Sequence, residues 1–297
     1  MGDTAADERL FQILKRFHGQ TSNRGHADRR SAAVTEAQLR AGIDEATVSA
    51  AQFIPAGAAS GLVYLDVGCS WGSVAFGLAA SDRVAEVVGI DVEAEAVEVA
   101  RALSRSACVP PAAGQKTRFE LSAAEKIPFP DDTFDGIVCH TVLEHVYHVE
   151  TALLEMVRVL KPGGRLYLEA PNYVWPYEPH LHIWMLPLGP KWLVKLQARR
   201  KMRRNPDIDP NFVDHLQFVH PVLVERMLKR HGIRFQNTYL DKLDAILVRG
   251  DYSQVIGLRR AIPLLRLLRP LGVGRVITFL ARALPFYPSL RYVITKE

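Results

Sequence analysis

The sequence has little of what would set it apart from an ordinary globular chain. Only three cysteines occur in 297 residues, Cys69, Cys108 and Cys139. Their number and scattered spacing exclude a disulfide framework and a paired-cysteine metal site, and they read as reduced and structural. No unbroken apolar run approaches the roughly 18 residues that would span a bilayer. The stretch Met1–Leu10 is polar and acidic, without the apolar core of a secretory signal, so a cytoplasmic protein is expected. No internal repeat is visible. With 48% apolar and 23% charged residues, the composition excludes a disordered or fibrous chain and makes a packed fold the starting expectation.

Acidic residues are scarce in one part of the chain. Residues 1–189 carry 16 Lys/Arg against 24 Asp/Glu, and residues 190–297 carry 21 against 8, so the formal net charge of +5 conceals a net −8 followed by a net +13. A basic C-terminal third suggests an anionic neighbour such as a membrane surface or a phosphorylated substrate; a solvated face is the plainer reading. Nucleic acid is not the expected partner, because no separate RNA-binding module is visible.

Hydrophobic periodicity divides the chain. About Ala5 to Phe53 has helical spacing (Leu10, Ile13, Leu14, Phe17) with a polar break at Gly19–His26, a helical preface over roughly residues 1–60. From residue 61 onward short apolar strands alternate with helices, the pattern of a parallel sheet covered on both faces. Strands are expected at Leu62–Asp66, Val84–Asp91, Thr117–Leu121, Phe134–His140 and Arg165–Glu169, and helices at Ser73–Ala80, Glu93–Ala107 and Glu150–Leu160, the last stopped by Pro162 and Gly163–Gly164. The alternation lapses into an aromatic, Pro- and His-rich insert, about 171–215. It resumes with a helix at Pro221–Arg230 and a strand at Arg234–Leu240, then gives way to a basic-apolar insert at about 243–285 before a last strand at Arg291–Thr295.

The chemistry concentrates where the first strand turns into a helix, at Leu65-Asp66-Val67-Gly68-Cys69-Ser70-Trp71-Gly72. Glycines suit a turn where a ligand must approach the backbone closely. Asp91 ends the second strand about 25 residues later, the distance at which an acidic side chain in doubly wound sheets accepts hydrogen bonds from ribose hydroxyls. Together they point to a nucleoside-containing ligand.

These residues resemble motif I (Leu65–Gly72) and the second motif (Gly89-Ile90-Asp91) of the class I S-adenosylmethionine (SAM)-dependent methyltransferases. Ala124–Asp135, His140–Val146 and Leu160–Leu166 are similar to the family's segments around its fourth and fifth strands, five segments in order between about Leu62 and Ala170. The resemblance implies an α/β fold: a doubly wound, mostly parallel, Rossmann-like sheet of seven strands, the last antiparallel. It implies SAM as cofactor, with Asp66 and the Gly68–Cys69 backbone facing its amino-acid part in a turn closed by Gly72, Asp91 its ribose, Ala124–Glu125 its adenine edge and the His140 backbone its methionine side. The sequence departs from the commonest family pattern at Ser70, where many members have glycine, and at Ala123, where many have an aspartate whose place Glu125 is expected to take. An NAD-type Rossmann site is the competing reading, but its G-x-G-x-x-G spacing is not that of Gly68–Gly72.

The expected activity is methyl transfer from SAM to a small-molecule or lipid- or glycan-linked acceptor, at oxygen rather than nitrogen or carbon. A quinone- or polyketide-type methyltransferase and a non-catalytic SAM-binding regulator are the alternatives. His145, after the fourth strand, is the candidate catalytic residue, since imidazole titrates near working pH; a structural histidine bonding a loop carbonyl is the alternative. His180-x-His182 suggests no metal, because no third ligand is indicated in the sequence. Between Val255 and Leu284 arginines punctuate apolar residues with no acidic residue among them, which reads as short segments on an anionic membrane face or packed on the sheet or a second subunit. Oligomeric state is left open.

Overall fold

The structure is a computed structural model that describes residues 36–203, 212–252 and 262–297. The part of the helical preface before residue 36, residues 204–211 of the first insert and residues 253–261 of the second insert lie outside the described residues.

Strands β1 (Leu62–Val67), β2 (Val84–Asp91), β3 (Thr117–Leu121), β4 (Phe134–His140) and β5 (Leu160–Pro171) run parallel, and β8 (Arg234–Asn237) and β9 (Ser289–Thr295) complete a seven-stranded sheet in the order β3-β2-β1-β4-β5-β9-β8. The strand β9 is antiparallel to both β5 and β8. The expected α/β class, strand number and antiparallel last strand all hold. Because the chain steps outward from β1 to β3 and then returns to β4 on the other side of β1, the crevice beyond the carboxyl ends of β1 and β4 is the switch point where such sheets take ligands.

Alternate residues of the strands feed two cores. On one face, α1 (Glu36–Ala50), α2 (Ser73–Ala79) and α3 (Ala94–Leu103) bury Ile43, Phe76, Val99 and Leu103 against Tyr64, Val87 and Val138. A short α4 (Pro111–Gln115) precedes β3. On the other face, α5 (Val149–Val159) and, later in the chain, the helix Pro221–Arg230 bury Leu153, Met156, Val224 and Leu228 against Leu65, Ile137 and Leu166. Helix α3 is shorter than expected because the Ser104 and Ser106 hydroxyls turn back onto the Arg101 and Leu103 carbonyls.

The first insert is built rather than loose. A hairpin, β6 (Tyr177–Glu178) and β7 (Ile183–Trp184), leads to α6 (Lys191–Met202) and α7 (Phe212–His215), and its Leu181, Ile183, Met185, Val194 and Ala198 join the second core. The helix Pro221–Arg230 that follows is α8. The strand expected to reach Leu240 stops at Asn237, whose side-chain oxygen accepts from Leu240 N at 3.1 Å and so caps α9 (Thr238–Asp244). A π-turn (Ala245–Arg249), α10 (Ile262–Leu268) and α11 (Val273–Ala283) follow before β9.

Asn172 fastens the end of β5 to the approach of β9. It is buried; its Nδ2 donates to the Pro285 and Tyr287 carbonyls, both at 2.7 Å, and its Oδ1 accepts from Val174 N at 3.0 Å. Asn172→Ala strips one buried and two half-buried groups of their partner and should lower stability by roughly 2–4 kcal/mol in urea unfolding. An unchanged midpoint would contradict this role.

Candidate functional site at the carboxyl edge of the sheet

The turn after β1 is wrapped tightly around the end of β2. Gly68 N and Cys69 N both donate to Ile90 O, at 2.8 and 3.0 Å. Gly68 sits at φ +70°, and a Cβ there would collide with Val142 from the loop after β4. Ser70 also adopts a left-handed φ, +49°, which explains why glycine is the usual choice at this place. Gly72, at φ +91°, begins α2.

Two carboxylates flank this turn. Asp91 is locked in place: Oδ2 accepts from Ser70 N at 2.8 Å and Oδ1 from Glu93 N at 2.9 Å, while each oxygen keeps a second lone pair. Burial raises its carboxyl, against the pull of the Glu93 and Ser70 donors. Asp66 is only 3% exposed, and its Oδ2 has no hydrogen-bond partner. Burial pushes its carboxyl up to about 7, with the Ala75 N–H opposing and the Asp91 charge assisting. A buried acid of this kind, beside a backbone turn that leaves no room for a side chain, fits a ligand with a cationic group. The adjacent Cys69 thiol is raised by burial and stays protonated, as a structural cysteine should.

The other expected positions divide. Ala124 is buried beneath the crevice. Glu125 has work of its own: Oε1 accepts from Tyr147 N at 2.7 Å and His148 N at 3.2 Å, so it fastens the loop leading into α5. His140, at the end of β4, lies 3.6 Å from Glu169, which also pairs with Arg291 at 2.7 Å. These three residues, with Tyr167 and Lys242, line a cavity of about 300 Å³ beside β4, β5 and β9, separate from Asp66 and Asp91.

His145 follows in the same loop with its side chain 35% exposed. Its ring meets that of His180 edge-on, with centroids 5.1 Å apart, so the hairpin of the first insert is folded back onto the β4 loop. Glu144 lies beneath them, fully buried, with neither carboxylate oxygen hydrogen-bonded, and burial pushes its carboxyl up to about 7. Sequence reading did not single out Glu144 or Glu178, the latter bound to His180 Nδ1 at 2.6 Å. The available signal was an acid set in the apolar run Val142–Val146 and a Glu two residues before a His. His182 is not part of this group; its Nδ1 pairs with the Tyr177 hydroxyl at 2.9 Å.

Residues 65–168 match the family model described as a methyltransferase domain. Over this segment the chain is similar to the class I SAM-dependent methyltransferases. The family's cofactor, SAM, carries a cationic amino-acid end and a ribose, the two features for which Asp66 and Asp91 are suited. Among its relatives, the uncharacterized methyltransferase YcgJ of Bacillus subtilis is 40% identical over 104 residues, 35% of this chain and 38% of the relative. Its crystal structure superposes over 86% of this chain and 98% of its own with 19% identity and a TM-score of 0.48. A fatty-acid O-methyltransferase of Mycolicibacterium smegmatis is 30% identical over 172 residues, 57% of this chain and 58% of the relative. A ubiquinone biosynthesis O-methyltransferase of Alkalilimnicola ehrlichii is 34% identical over 140 residues, 47% and 52% of the two chains. The first three curated relatives are matched over only 38%, 36% and 25% of their own lengths, so the chain spans well under half of each.

Proposed function

We propose that the chain transfers the methyl group of SAM to an oxygen of a small-molecule or lipid-linked acceptor. The observation that carries this reading is the orphaned, buried Asp66 oxygen beside the Gly68 turn, opposite the locked carboxylate of Asp91. In this reading Asp66 and the Gly68–Cys69 backbone hold the amino-acid end of SAM, with Gly72 shaping the turn, Asp91 takes the ribose hydroxyls, Ala124 forms the adenine wall, and the His140 backbone borders the methionine. Glu125 contributes by holding the 147–148 loop.

SAM supplies an electrophilic methyl on a sulfonium: the S–CH3 bond breaks as an O–CH3 bond forms, and the acceptor hydroxyl gives up its proton. The chain's part is alignment and exclusion of water. His145, half-exposed where the β4 loop meets the insert, is suited to activate or orient the acceptor hydroxyl. Two relatives named as O-methyltransferases favour oxygen over carbon, although quinone C-methyltransferases also occur among the relatives.

A second reading concerns the acceptor's setting and rests on α11. Its small residues Gly274, Thr278 and Ala281 face inward, leaving Val276, Ile277, Phe279 and Leu280 on the surface, Phe279 69% exposed, with Arg275 and Arg282 along the flank. Leu271, before it, is 72% exposed. Large apolar side chains turned outward beside arginines suit a reversible contact with an anionic membrane face, by a cytoplasmic protein that carries no helix long and apolar enough to cross a membrane among its described residues.

A screen of hydroxylated acceptors with methyl-labelled SAM tests the activity; no labelled product from any acceptor, with SAM bound, would turn the reading to a non-catalytic SAM-binding protein. Asp91→Ala should weaken SAM binding by about 2–4 kcal/mol in calorimetry, and equal affinity would remove Asp91 from the site. His145→Ala should lower kcat by roughly 100-fold while leaving SAM affinity nearly intact; full turnover would return His145 to a structural role. Co-sedimentation with anionic vesicles at low salt should carry the protein down, and its absence would leave α11 as a packing surface for protein.

A further inference from the structure

Glu144, His145 and His180 come from two separate parts of the chain yet converge on one point. Glu144 and His145 stand in the loop after β4, and His180 is brought to them by the β6–β7 hairpin. Glu144 Oε1 is 3.9 Å from His145 Nε2 and 3.8 Å from His180 Nε2, and one ligand atom from each residue lies within 4.8 Å of the others. We propose that these three side chains form a binding site for a divalent first-row transition-metal ion of the zinc type, a site the sequence pattern did not indicate because its third ligand is supplied by the fold.

The donor set is two imidazole nitrogens and one carboxylate, a combination that binds Zn(II), Fe(II) and related ions with positions left open. Around an ion at bond lengths of about 2.0–2.2 Å, tetrahedral ligand atoms stand about 3.4 Å apart. The two Glu144–imidazole separations therefore need to close by about half an ångström, and the separation of the two histidine nitrogens, which lies within 4.8 Å, by at most about 1.4 Å, within the reach of side-chain rotations.

Glu144 is the independent sign of a missing ligand. It is fully buried, and both oxygens lack a hydrogen-bond partner. Its position is imposed by the backbone, since its carbonyl accepts from Gln217 N at 2.6 Å. A carboxylate held inward with nothing to bind is costly unless a cation completes it.

The surrounding groups fit as well. Glu178, itself buried, accepts from His180 Nδ1 at 2.6 Å and from Leu181 N, with the Tyr173 hydroxyl at 3.4 Å. A carboxylate on Nδ1 fixes the ring with Nε2 turned toward Glu144, the arrangement found behind metal-bound histidines. His145 forms the solvent-facing side, so the open coordination position looks outward. Under the methyl-transfer reading, an acceptor hydroxyl bound there would be acidified; the binding site itself does not rest on that reading.

The test is metal binding by the full chain after dialysis against a chelator. Titration with Co(II), followed by its visible d–d absorption, and with Zn(II), followed by calorimetry, should each show one saturable equivalent. His145→Gln, at a partly exposed position that leaves the core intact, should weaken binding at least 100-fold, Glu144→Gln likewise, and Glu178→Gln by roughly 10- to 100-fold. Failure of Co(II) to acquire a low-symmetry spectrum, or Zn(II) binding to His145→Gln as tightly as to the unaltered chain, would overturn the proposal. SAM affinity measured on the same metal-free protein reports separately on the methyltransferase reading, so the two can fail independently.

Discussion

A carboxylate carried into the protein interior at the end of β1 organises the functional edge. Asp66 emerges from a central strand of the sheet with one oxygen unpartnered, and the turn that follows is arranged so that the backbone, not a side chain, comes closest. Gly68 is pressed under Val142, its N–H and that of Cys69 are tied to Ile90, and Asp91 holds the Ser70 N–H. The turn thus couples β1, β2 and the loop after β4 into one unit. A rigid edge of this kind pre-organises a ligand site without spending loop entropy on binding.

The parts legible in the sequence are those with one physical cause. Strands β1, β2 and β4 are buried over most of their length, so apolar runs marked them nearly to the residue. Asp91 was legible because it closes such a run. The rest depended on contacts between distant segments. The strand end at Asn237 turned on a side-chain cap, which competed successfully with an apolar pattern running to Leu240. Glu125, expected at the adenine edge, is engaged by backbone donors more than 20 positions away. Glu144 and His180 meet only because a two-stranded hairpin folds back, which no local periodicity encodes.

The two inserts extend the shared sheet in different ways. The first enters the core through Leu181, Ile183 and Met185 and brings polar groups to the edge of the crevice. The second stays outside, with α11 seated on small residues and its large apolar ones turned outward. The family match spans residues 65–168, and both inserts lie outside it.

The central claim is that the Asp66–Asp91 edge is a SAM site. Calorimetric titration of the full, unaltered chain with SAM tests it most directly. The account predicts saturable binding of one equivalent with Kd in the low micromolar range or somewhat weaker, on the order of −8 kcal/mol. Absence of saturable binding at millimolar SAM by a folded protein would contradict it.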